Sequence, residues 1–143
     1  MPVNELLCTD LIESTLETLT AWTEENKAAL TGIAFAYGLE NELETRLKMW
    51  LEHCLANKNK LPEDTEAYLW KTFLQECAIH DSIPNAGERE KLQVLDAEKK
   101  ADLIAYSYGE LSMNLAARIS NKTEELLEEE LIRSIRYIQA CYN

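Results

Sequence analysis

Glycine and proline are scarce in this chain, at 4 and 3 of 143 residues, and no low-complexity tract occurs. With 46% apolar residues, that excludes an extended or disordered polymer and favours regular, packed structure. Basic residues are also few: 14 Lys and Arg stand against 26 Asp and Glu, a formal charge of −12. Nucleic-acid affinity rests on cations that neutralise phosphates, so a nucleic-acid binder is not expected, nor is adhesion to an anionic membrane. No apolar run approaches membrane-spanning length, and no secretory signal is visible at Met1-Pro2-Val3-Asn4-Glu5, so a cytoplasmic protein is expected. Cys8, Cys54, Cys77 and Cys141 lack C-x-x-C spacing and read as free thiols, mostly buried.

Catalytic signatures are missing too. There is no P-loop, no Gly-rich dinucleotide turn and no Gly-x-Ser-x-Gly elbow. The two histidines limit metal chemistry. His53 adjoins Cys54, and His80 follows Cys77 by one helical turn. Adjacent helical residues point about 100° apart, so the four are not expected to converge on zinc. The chain is read as a non-enzyme with no required cofactor.

What is present is helical periodicity almost throughout. A first helix is expected from Asn4, as N-cap, to about Trp22, with Cys8, Leu11, Ile12, Thr15, Leu16, Leu19 and Trp22 on one face. Asp10, Glu13, Glu17 and Glu24 share the opposite face, with no interleaved Lys or Arg. Like charges one turn apart are mildly destabilising, so this row is a candidate docking surface for a basic protein partner. The charge is unevenly placed: residues 1–45 hold nine acids and one base, a net of −8.

An internal repeat organises the rest. Ile33-Ala34-Phe35-Ala36-Tyr37-Gly38 recurs 71 residues later as Ile104-Ala105-Tyr106-Ser107-Tyr108-Gly109. Downstream, Leu39, Leu43, Arg46 and Leu47 match Leu111, Leu115, Arg118 and Ile119, and Phe73–Cys77 echoes Tyr137–Cys141. The expected fold is all-α, one domain over residues 1–143 with seven or eight helices. It would form two similar halves, roughly 4–81 and 86–142, the first with the longer third helix. Each half reads as helix, tight turn, helix. Gly38 and Gly109 are expected to take the left-handed conformation, and Asn41 and Ser112 to cap the next helices. Small residues Ala28, Gly32, Ala36, Ala101 and Ala105 suggest that the two helices before the glycines pack together.

Ala105-Tyr106-Ser107-Tyr108-Gly109-Glu110-Leu111-Ser112 resembles the turn motif of the TerB-like family, an all-helical domain of two repeats associated with tellurite resistance. Ala34-Phe35-Ala36-Tyr37-Gly38-Leu39-Glu40 resembles a degenerate copy. Tyr37 and Tyr108 stand where the family has Asp. The resemblance implies a binding or stress-response domain, and a divalent metal ion held by turn carboxylates, here Glu40, Glu42 and Glu110. An acidic inhibitor or immunity-type protein that masks a basic partner is a further alternative.

Overall fold

The computed structural model describes residues 8–57 and 61–142, with side chains from Leu16 onward. Seven α-helices succeed one another among the described residues. They are α1 (Cys8–Glu25), α2 (Lys27–Ala36), α3 (Leu43–Ala56), α4 (Thr65–Ile79), α5 (Ala97–Leu103), α6 (Met113–Ser120) and α7 (Glu124–Tyr142). Tight 3-10 turns span Glu40–Glu42 and Glu88–Val94, and a π-helical turn, Ile104–Tyr108, prolongs α5. The chain is all-α, as its periodicity indicates. The first helix runs three residues past Trp22, and its expected cap, Asn4, lies outside the described residues.

Helix α4 is the axis of the molecule. Asp64 caps it by accepting a hydrogen bond from the Ala67 N–H. Ala67, Leu69, Trp70, Phe73, Leu74 and Cys77 are buried, so α4 is apolar around more than one face. It packs between α3 and α6, the two helices that follow the glycine turns. The matched arginines of those helices hold opposite ends of α4. Arg46 of α3 donates to Glu76 Oε2 at 2.7 Å, near the C-terminal end. Arg118 of α6 forks onto Asp64, with Nη2–Oδ1 at 2.7 Å and Nε–Oδ2 at 2.9 Å, at the N-terminal end.

Aromatic packing closes the first half of the core. The Trp22 ring lies 5.5 Å from Trp50 and 4.8 Å, edge-on, from Trp70, and Trp50 meets Phe73 at 6.1 Å. One hydrophobic cluster continues from these rings through Leu30, Ile33, Leu103 and Ile104 to Leu127 and Leu131.

The two segments before the glycines do pack together. Gly32 of α2 sits on the Tyr108 carbonyl, and Ile33 lies where a Cβ on Gly109 would project. The turns that follow differ. Gly38 is left-handed (φ +75°), and the Leu39 N–H bonds the Ala34 carbonyl at 2.8 Å. Gly109 is right-handed (φ −78°), which overturns the expectation, and Glu110 carries the positive φ of +55° instead. The Leu111 N–H still reaches the Ala105 carbonyl, at 3.2 Å. Matched donors and acceptors are therefore joined in both turns, with Glu110 as one additional residue. The π-helical turn and the strained φ of Glu110 accommodate it.

Three local expectations need correcting. Ser112 caps α6, accepting from the Leu115 N–H, but Asn41 caps nothing, because the chain enters α3 through the 3-10 turn with Glu42 as its N-cap. The helix within residues 62–83 is not the longer of the two compared, because α4 has 15 residues and α7 has 19. The match of Phe73–Cys77 with Tyr137–Cys141 is one of sequence only. Phe73 and Cys77 are fully buried, whereas Tyr137 and Cys141 are exposed.

Candidate docking groove and ligand cleft

Glu40, Glu42 and Glu110 are not assembled into a metal centre. Among the described residues no three His, Cys, Asp or Glu side chains are grouped to hold a metal ion. Glu40 is engaged by Arg89, whose Nη1 lies 2.8 Å from Oε2. Its own backbone N–H and this arginine hold its carboxyl below the usual range. Glu42 lies 3.8 Å from Arg46 Nε. Glu110 is exposed on the other turn. Tyr37, where the resemblance implies an Asp, is 1% exposed, and its hydroxyl meets no partner among the described residues. Burial, reinforced by Cys77, Asp81 and Asp102, raises its pKa and keeps it a neutral phenol.

The cysteines and histidines are likewise dispersed. Cys54 and Cys77 are buried, and burial pushes their thiols up to about 11 and about 12. His80 is exposed, 3.4 Å from Glu76, and His53 is exposed on α3. Cys141 is exposed on α7.

Of the acidic row on α1, Glu17 and Glu24 are exposed, while the side chains of Asp10 and Glu13 lie outside the described residues. Glu17 and Glu24 are seven residues apart and therefore share a face. That face borders a groove that the sequence pattern did not reveal. Helices α1 and α3 diverge around a space of about 360 Å³, lined on α3 by Leu47, Leu51 and Leu55. Glu24, Glu44 and Glu52 also line it, and Lys48 is the one cation among its lining residues. The sequence signal was available: Glu44, Leu47, Lys48, Leu51, Glu52 and Leu55 follow one helical stripe.

Two further concavities flank an ionic cluster. Lys122 Nζ contacts Glu98 at 2.8 Å, Asp102 at 2.9 Å and Glu130 at 2.5 Å. Burial opposes the ammonium, but these hydrogen bonds outweigh it and raise the Lys122 pKa. Burial raises that of Asp102. On one side, Glu98 and Asp102 border a space of about 330 Å³ beside α4. On the other, Glu130 borders a cleft of about 540 Å³ between the 88–94 turn, the start of α5 and α7. No helix among the described residues is long and apolar enough to cross a membrane. Comparison with known protein families, curated proteins and solved structures finds no match to this chain.

Proposed function

We propose that this chain is a non-enzymatic, acidic helical binding domain, TerB-like in form, that docks a basic amphipathic helix of a protein partner in the α1–α3 groove. The observation that carries this reading is the groove's composition. Leu47, Leu51 and Leu55 offer an apolar strip, and Glu24, Glu44 and Glu52 surround it with carboxylates against the single cation Lys48. From Glu44 to Leu55 the strip runs about 16 Å, the length of about three turns of a partner helix. Such a helix would place its apolar face on the leucines and its Lys or Arg residues over the acids. The concentration of net charge in residues 1–45 would speed its approach.

Two other features support a binding role. The matched arginines Arg46 and Arg118 are spent on clamping α4. The raised thiols of Cys54 and Cys77 are poor nucleophiles. The reading includes a cytoplasmic setting and descent of the two glycine-turn segments from one repeated unit, as their equivalent hydrogen bonds suggest.

The test is fluorescence anisotropy with a labelled 14-residue peptide of Leu and Lys at helical spacing. Saturable binding is expected, weakened at least about tenfold by Leu51→Lys and several-fold by Glu24→Lys with Glu52→Lys. Glu63→Lys, outside the groove, serves as the charge control. If Leu51→Lys binds like the parent while circular dichroism shows intact helices, the groove is not the docking surface.

A further inference from the structure

We infer that the cleft between the 88–94 turn, the start of α5 and α7 is a binding site for a small carboxylate with an aromatic body. Its volume, about 540 Å³, falls within the usual span of ligand pockets, roughly 300–1,000 Å³. The cleft brings together two cations, a hydroxyl and an apolar wall.

The cations are loosely held. Lys99 Nζ lies 3.9 Å from Asp96, and Arg133 Nη2 lies 3.7 Å from Glu129. Both separations exceed the roughly 2.7–2.9 Å of a charge-assisted hydrogen bond. The acids of the cleft are committed elsewhere. Asp96 accepts from the Lys99 backbone N–H at 2.9 Å as the cap of α5, and Glu130 is bound to Lys122.

Ser134 adds a hydroxyl to the cleft wall. The residue is only 4% exposed. Its O–H can donate to a ligand oxygen. Val94 and Leu95 form the apolar wall, and the Tyr137 ring, 55% exposed, stands at the edge.

These groups fit one ligand chemistry. The Arg133 guanidinium can grip both oxygens of a carboxylate, Lys99 adds a point charge, and Ser134 donates its O–H. An aromatic body would lie between Tyr137 and the Val94–Leu95 wall. A monoanion suits the site better than a phosphate dianion, because Asp96, Glu129 and Glu130 stand close by.

The test is a two-dimensional amide NMR titration of the full chain with 2-naphthoate, and in parallel with the neutral isostere 2-naphthamide. Saturable shifts confined to residues 94–99 and 130–137 are expected with 2-naphthoate, with a Kd of about 1 mM or tighter. The amide should bind at least about tenfold more weakly. Arg133→Gln and Ser134→Ala should each weaken 2-naphthoate at least about threefold, with unchanged spectra elsewhere. Arg133 is largely exposed, so its loss leaves the fold intact. Equal affinity for acid and amide, shifts outside the cleft, no saturation, or undiminished affinity in both variants each overturns the assignment.

Discussion

Gly32 lies so close to the backbone carbonyl of Tyr108 that a Cβ would overlap its oxygen. In an open helix interior, exchanging Gly for Ala stabilises by about 1 kcal/mol. Here the contact reverses the sign, because backbone cannot rotate away as a side chain can. Gly32→Ala is expected to cost about 1–3 kcal/mol through overpacking between α2 and the π-helical turn. Urea unfolding checks this, and a midpoint equal to or above the parent's would refute the close approach.

This contact also marks how far the sequence was legible. The repeated Ile-Ala-x-x-Tyr-Gly segments and the small-residue stripe pointed to the pairing of α2 with the segment before Gly109, and the structure contains it. The offset between the copies, 71 residues at the glycines and 72 at the leucines, already implied one added residue. Glycine chemistry pointed to Gly109 as the left-handed residue. The hydrogen bond from Leu111 to Ala105 instead requires the reversal at Glu110, a tertiary constraint that propensity does not record. The α1–α3 groove was half legible. Glu24, on its α1 side, belongs to the acidic row, but the α3 floor required knowing which helices face each other. The cleft behind Ser134 was not legible at all, because its residues come from three separate segments.

The Trp50 indole is held by a relay that a single atom exchange can break. Its Nε1 donates to Thr72 Oγ1 at 2.9 Å, and that hydroxyl lies 2.9 Å from the Tyr68 carbonyl. Thr72→Val preserves shape but leaves the buried N–H without an acceptor, at a cost of about 1–3 kcal/mol. Thr72→Ser keeps the acceptor and should retain most of that stability. The two variants separate the hydrogen bond from packing when their denaturation midpoints are compared.

The cysteines should divide sharply in reactivity. Cys54 and Cys77 are buried and their thiols stand near 11 and 12, so little thiolate exists at pH 8. Cys141 is exposed. With a disulfide reagent at pH 8, Cys141 should label at least about 100-fold faster than Cys54 or Cys77. Site-resolved mass spectrometry reads the rates, and in denaturant the difference should vanish. Comparable native rates would contradict the burial of the α3–α4 core.

Lys122 is the hub of the ion-pair cluster, and its removal should produce a deficit that depends on pH. Lys122 and Asp102 are each 11% exposed at the side chain, so Lys122→Met strands buried carboxylates. Breaking such a pair costs about 3 kcal/mol near neutral pH. Burial already raises the Asp102 pKa, and the Lys122 hydrogen bond restrains that rise. Without the ammonium, the folded-state pKa of Asp102 climbs further above its unfolded value near 4. The folded variant then binds a proton more tightly than its unfolded chain. Its stability, depressed above the raised pKa, recovers as pH falls through that value. The parent gains less over the same interval, so its lead over Lys122→Met should narrow from pH 7.5 to pH 4.5 in urea titrations. A deficit that stays constant or widens toward acid would mean that Asp102 is not the carboxylate that Lys122 keeps ionised.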